Sequence, residues 1–221
     1  MDRAPQSSEP APPAPSLPSA PPTLPRLSRL SRLSRLSRLS RRRRRALAAL
    51  TAVIALLAGY TAWSNLRPVR LVASIEIEAT PEEVWQVLTD FATYPQWNPF
   101  MVSAEVTSSG GRLEEGARMR IVMRDAGGES TFTPEALTVR PEHELRWLGR
   151  VEPGWIADGE HRFVIEETGP GRVRLTQRES FTGVAVPFVK GQLTSDTLPQ
   201  FHAMNKALAR RAEAVADRRT R

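Results

Sequence analysis

The rhythm of hydrophobic and polar positions changes three times along this chain. Residues 46–63, ALAALTAVIALLAGYTAW, are apolar without a break and carry no charge. Coiled as a helix, such a stretch reaches about 27 Å, close to the hydrocarbon thickness of a bilayer. Beyond it the period falls to two, and residues 69–77 alternate with Leu71, Ala73, Ile75 and Ile77 on one face. Thr80-Pro81-Glu82-Glu83 then opens a helix: a threonine cap, proline at the first helical position and glutamate three residues after the cap. Val84, Trp85 and Leu88 give that helix its apolar stripe. Residues 90–99, DFATYPQWNP, read as a short helical turn broken by Pro95 and Pro99. Six strand-like runs follow, over residues 101–107, 117–124, 130–139, 144–151, 160–166 and 172–181. Gly110-Gly111, Gly127-Gly128 and Gly169-Pro170-Gly171 supply turns between them. The period finally lengthens to a helical one, with Phe201, Met204, Leu208, Ala212 and Val215 on one face, and Pro199 kinks or starts that helix.

Strand, two short helices, six strands and a long helix make an α+β order. Hairpin-linked antiparallel strands need something to cover their concave face, and the long helix is the element available. The expected architecture is a helix grip: a curved antiparallel sheet of about seven strands wrapped around a long C-terminal helix, with a cavity between them. Residues 74–100, SIEIEATPEEVWQVLTDFATYPQWNPF, resemble the start of START-like domains of the SRPBCC superfamily. Those domains commonly read I-x-A-x-x-E-x-V-W-x-x-L-x-D-x-x-x-Y-x-x-W-N-P. The later DGEHRFVIEE, RLTQRESFTG and FHAMNKALARRAE are similar to the polyketide cyclase/dehydrase branch of that superfamily. The resemblance extends over essentially all of residues 69–218. It implies a cavity for a hydrophobic small molecule or lipid, but the superfamily includes lipid carriers, hormone receptors, cyclases and oxygenase subunits, so fold alone names no activity.

Charge separates the chain into two parts. The net charge is +7, yet residues 1–70 hold 13 arginines against two acids, so the remainder is mildly acidic and offers no basic patch to nucleic acid. Ten arginines lie between Arg26 and Arg45, against Arg67 and Arg70 just past the apolar stretch. The positive-inside rule then places the N-terminus in the cytoplasm and the domain on the outer side of the membrane. Arginine in place of lysine nearly throughout, with Lys190 and Lys206 the only lysines, and richness in alanine and proline suggest a GC-rich bacterial gene and hence an inner membrane. Residues 46–63 read best as an uncleaved single-pass anchor. A cleaved signal peptide is the alternative, but cutting after Ala62 would put Tyr60 at the critical third position back. A lipoprotein box fails because Tyr60, not cysteine, follows Leu57-Ala58-Gly59. Residues 64–68 form a linker that reaches at most about 18 Å.

The tail, residues 1–45, has nine prolines in its first 25 positions and then Arg-Leu-Ser five times from Arg26 to Ser40. Its proline-rich part reads as disordered, because it cannot bury enough apolar surface to offset its ordering entropy. A period of three drifts around a helix, so the leucines form no single stripe. The repeat either attaches electrostatically to anionic lipid, at about 1 kcal/mol per arginine, or serves only to fix topology. The chain has no cysteine, which excludes disulfides, thiol nucleophiles and Rieske ligation.

Alternation also selects what faces the cavity. His161, Phe163 and Ile165 share one side of their strand, opposite Glu160, Arg162 and Glu166. In the next strand Val173, Leu175, Gln177, Glu179 and Phe181 share a side, and one strand earlier Leu145 and Trp147 point inward. A hairpin at Gly169-Pro170-Gly171 brings His161 opposite Glu179, or opposite Gln177 after a one-pair slip. The expected cavity wall is therefore Leu145, Trp147, His161, Phe163, Ile165, Leu175, Gln177, Glu179 and Phe181. His161 and Glu179 make either a structural buried pair, a polar handle for a ligand, or an acid/base pair of the cyclase/dehydrase kind. Trp97 and Asn98 read best as packing the corner of the short helices, with ligand contact the alternative, and Trp155 sits in a loop that gates or caps the cavity mouth. No nucleophile elbow, phosphate-binding glycine loop or histidine pair with metal spacing occurs, so no cofactor is expected. His143 and His202 have no partner that the sequence reveals. A third class of function, a protein-interaction module with a collapsed cavity, is left open.

Overall fold

The computed structural model describes residues 40–219, with Ser109 and Ala126 excepted. The proline-rich segment and the Arg-Leu-Ser repeats up to Leu39 lie outside the described residues. Two units are distinguished, residues 1–50 and 51–221, and the fold below belongs to the second.

Helix α1, Arg41–Leu66, crosses that division. It is long and apolar enough to cross a membrane, and among its residues only Ser64, near the end, is buried. It runs to Leu66, so of residues 64–68 only Arg67 and Pro68 separate it from the first strand.

Strand β1 is Val69–Ile77, and its alternate residues Leu71, Ala73 and Ile77 are buried. Helix α2, Pro81–Thr89, starts on a capping box. The Thr80 hydroxyl accepts from Glu83 N (3.3 Å) while the Glu83 carboxylate accepts from Thr80 N (2.8 Å), so two orphan amides are satisfied reciprocally. A 3₁₀ turn at Phe91–Thr93 and helix α3, Tyr94–Trp97, follow. The buried Tyr94 hydroxyl donates to Leu88 O (2.6 Å), and burial, with the Asp90 charge adding, pushes its phenol far above the ordinary value. Asn98 then accepts from Phe100 N (3.0 Å) and Met101 N (2.9 Å), which turns the chain into β2, Met101–Val106.

Strands β3, Met119–Asp125, β4, Gly128–Phe132, β5, Glu135–Arg140, β6, Glu144–Val151, β7, Ala157–Gly169, and β8, Arg172–Thr182, complete two antiparallel sheets. Five strands run in the order β1-β8-β7-β6-β5 and three in the order β2-β3-β4. The strand expected over residues 130–139 is two, because Pro134 has no N–H to continue a ladder. Its carbonyl instead accepts from Met119 N (2.9 Å), and Ala136 N donates to Ala117 O (2.8 Å), so β3 and β5 are stitched where the sheets part.

The chain is helical from α4, Val186–Gln192, through a π turn at Leu193–Thr197, into α5, Leu198–Arg219. The π turn directly precedes Pro199, whose missing N–H would leave the Ser195 carbonyl without its usual donor. Phe201, Met204, Leu208 and Ala212 of α5 are fully buried against the five-stranded sheet. Asn205 Nδ2 donates to Ala73 O (3.3 Å) and ties α5 to β1. The helix grip is therefore the fold, with α5 gripped and α4 lying before it over the sheet's other end.

Candidate functional site

A pocket of about 230 Å³ lies where α4 approaches the β6–β8 part of the sheet. Trp147, Ala157, Phe181, Phe100, Val186 and Leu193 are among the apolar side chains of its wall. Arg150 and Asp158, opposed across β6 and β7, form an ion pair at 3.6 Å on the rim and so neutralise one another. That leaves Glu179 as the carboxylate of the wall without an arginine partner.

Glu179 is placed by the register of β7 and β8, in which His161 lies opposite it. Its Oε2 is hydrogen-bonded to His161 Nδ1. Its Oε1 lies over Gly159, where a Cβ would stand only 2.6 Å away. Glycine leaves room in mid-strand for the carboxylate as it stands; a side chain there would have to displace the flexible end of Glu179. The histidine itself is sealed. Its exposure is 1 %, its ring stacks on Trp147 (4.9 Å between centroids, 10° between planes), and Phe201 meets it edge-on at 5.1 Å. Gln177 Nε2 lies 3.0 Å from His161 Nε2 and 3.7 Å from Met204 Sδ. With the amide donating to Nε2, the ring proton sits on Nδ1 and is donated to Glu179. Gln177 Oε1 is buried without a hydrogen-bond partner in this arrangement. Chemically, then, one carboxylate oxygen is held by a buried imidazole while the other is offered to the pocket.

Of the nine residues that alternation turned inward, Trp147, Glu179 and Phe181 line this pocket. Leu145, Phe163, Ile165 and Leu175 belong to the packed core beneath α5, together with the buried His161 and Gln177. Trp97 donates to Thr93 Oγ1 (3.3 Å) and meets Tyr94 edge-on, within the short-helix corner. Trp155 is 58 % exposed, and its carbonyl accepts from Val184 N (3.1 Å). His143 is exposed, with Nδ1 2.9 Å from Pro141 O, and His202 is exposed on α5.

Sequence reading missed Gly159, the Arg150–Asp158 pair, Phe100 just before β2, Met123 on β3, and all of α4. Gly159 carried a signal, being a glycine inside a strand pattern. For α4 the signal was Pro187 shortly after Gly183, a proline at a first helical turn.

A larger groove, about 710 Å³, is open to solvent along Thr89, Asp90, Ser103 and Glu105 and does not include the His161–Glu179 pair. Among the described residues no cluster of histidines and carboxylates could hold a metal ion.

The family model described as polyketide cyclase / dehydrase and lipid transport matches residues 68–213. Comparison with curated proteins finds no match. Among solved structures the chain is similar to the Zhui aromatase/cyclase from Streptomyces sp. R1128, with a TM-score of 0.55, 18 % identity, and 70 % of this chain and 97 % of that one covered. A START superfamily protein from Mycobacterium smegmatis gives a TM-score of 0.52 at 23 % identity, covering 66 % of this chain and 98 % of that one. Against the di-domain ARO/CYC BexL from the BE-7585A biosynthetic pathway the TM-score is 0.52 at 15 % identity, covering 66 % of this chain. The chain spans about half of that protein, 47 % of its length. Identities at this level establish a shared fold.

Proposed function

The chain belongs to the polyketide cyclase/dehydrase and lipid transport family, and from that premise we propose a membrane-tethered protein that holds a hydrophobic small molecule or lipid in the pocket under α4. The observation that carries the reading is an apolar wall with one carboxylate that no arginine pairs, Glu179. An apolar cavity with few polar groups is what a hydrophobic ligand with one hydroxyl or amide requires. The volume is just below the roughly 300–1,000 Å³ of drug-sized pockets, which fits a compact ring system or a segment of one acyl chain. His161 serves by holding Glu179 in one orientation, and α1 serves as the single-pass anchor that keeps the domain on the outer side of the membrane.

A second reading rests on the same carboxylate. Its free oxygen, backed by a buried histidine, is placed as a general base would be, and a cyclase/dehydrase-type step would use Glu179 on the ligand with His161 acting through it. His161 is too enclosed to touch a ligand itself.

Native mass spectrometry of the full chain, extracted from its membranes in detergent and then stripped with organic solvent, tests both. The binding reading expects a stoichiometric hydrophobic mass whose occupancy falls, with identity unchanged, in Glu179→Gln. The enzymatic reading expects Glu179→Gln to retain a different mass, the unreacted substrate. A wild-type chain that carries no such mass, and takes up none from extracted host lipids, overturns both.

A further inference from the structure

Among the described residues five large apolar side chains outside α1 are exposed; Val72 stands apart on β1, and the other four surround one place. Phe188 is 82 % exposed and Val189 40 % exposed, both on α4; Val151 is 47 % exposed at the end of β6, and Trp155 58 % exposed on the segment joining β6 to β7. Two backbone hydrogen bonds hold these segments side by side, Val184 N to Trp155 O and Ala185 N to Ile156 O, each 3.1 Å. Val151 and Val189 also line the pocket, so this patch is the pocket's mouth.

The end of α1 meets the same place. Tyr60 donates its hydroxyl to Val184 O at 2.7 Å, and its ring lies 6.2 Å from that of Phe188 and 5.9 Å from that of Trp63. The Arg67 guanidinium stands over Trp63 at 5.7 Å. An apolar helix that finishes in tyrosine, tryptophan and then arginine has the anchors that mark the boundary between acyl chains and headgroups. Tyr60 is about 9 Å before the helix end at Leu66, at 1.5 Å per residue. Val184 and Phe188, in contact with Tyr60, then share its depth. Lys190, exposed on the same helix, has a side chain long enough to return its charge to the headgroup layer.

We propose that Phe188, Val189, Trp155 and Val151 are seated in the outer leaflet of the bilayer, and that the pocket opens there, so that its ligand passes directly between membrane and protein without crossing water. This rests on the reading of α1 as a membrane anchor and names the surface from which the proposed ligand is drawn. It accounts for the exposure of Phe188, which a soluble domain would leave unpartnered.

The chain has no cysteine, so a single introduced thiol can be labelled selectively. Phe188→Cys, Leu56→Cys within α1 and Glu166→Cys at the far end of β7 would each carry an environment-sensitive nitrobenzoxadiazole dye, in the full chain. The chain is reconstituted into phosphatidylcholine–phosphatidylglycerol vesicles, with nitroxide groups placed on the lipids at shallow or deep positions. The expected result is loss of at least half the Phe188→Cys emission to shallow nitroxides, loss of the Leu56→Cys emission to deep ones, and no loss at Glu166→Cys. Leu56→Cys quenched with Phe188→Cys unquenched overturns the portal and leaves an anchored binding protein. A blue-shifted but unquenched Phe188→Cys means that a second copy covers the patch, and overturns it equally. Leu56→Cys unquenched removes the anchor and the portal with it.

Discussion

Strands β7 and β8 face the same way along their whole length but are filled differently at their two ends. Under α5, Phe163, Leu175 and Gln177 meet Phe201, Met204 and Leu208, and these side chains are buried to 0 % exposure. Under α4 the same two strands present Gly159, Glu179 and Phe181, and a pocket of about 230 Å³ remains. The pleat is continuous, so the difference comes from the cover and from side-chain volume. α5 lays a stripe of large residues into the sheet, whereas β6 and β7 carry Gly149 and Gly159 opposite one another beneath α4. His161 stands at the border, packed like a core residue on all sides but hydrogen-bonded to the one carboxylate that reaches the hollow end. A sheet face is thus one property and a cavity another.

The largest effect that can break this contrast is on stability. Phe163→Ala removes a fully buried ring from the filled end and is expected to cost about 3–5 kcal/mol. Phe181→Ala, at the hollow end where the ring is only partly buried, is expected to cost about 1 kcal/mol or less, since an existing space grows and no new cavity forms. Urea denaturation of the full chain in detergent compares the two. Equal losses would mean that the hollow end is packed as tightly as the other. A smaller effect on the fold, but a specific one on the pocket, is expected from Gly159→Ala. Its Cβ would meet Glu179 Oε1 at 2.6 Å, and a flexible carboxylate can yield by swinging away from His161. The expectation is about 1 kcal/mol in stability with ligand retention reduced about tenfold or more, or 1.4 kcal/mol in affinity. Retention unchanged in that variant would show that the carboxylate's orientation is immaterial to the ligand.

The same contrast explains what the sequence disclosed. The capping box at Thr80–Glu83, the alternation of β1 and the stripe of α5 are local patterns whose period states which side is buried, and each appears in the structure as read. The inward faces of β6, β7 and β8 were legible for the same reason. How far along a strand the packing continues was not, because it depends on α4, a helix of seven residues whose apolar face, Val186 and Val189, is too short to stand out as a period. Nor was the split of residues 130–139, where Pro134 ends one ladder and its carbonyl begins another. Gly159 shows the limit most clearly: a glycine in a strand announces a close approach but does not say which atom approaches.

The outer face of the sheet offers the smallest and sharpest test, because it also holds a buried carboxylate, and its surroundings are the reverse of Glu179's. Glu144 is 4 % exposed and is paired with Arg140 and with Arg162 (2.8 Å), with Arg146 at 4.0 Å. Burial alone would push its carboxyl up, but the hydrogen bonds from Arg140 and Arg162 and their charges outweigh it and hold the group below the ordinary value of 4.5. A carboxylate whose folded value is depressed binds its proton more readily in the unfolded chain. Its contribution is therefore complete above the ordinary value and is lost as pH falls through the lower, folded one. The three arginines are each a third or more exposed, so water screens the gain and keeps it modest. Thermal unfolding of the full chain in detergent, followed from pH 7 downward, should show Glu144→Gln less stable at neutral pH and flatter than wild type in the acid range. Parallel acid limbs would mean that Glu144's arginines merely shield it from the core. The outer carboxylate would then be no better satisfied than the inner one, and the pocket would lose its claim to hold the sheet's available acid.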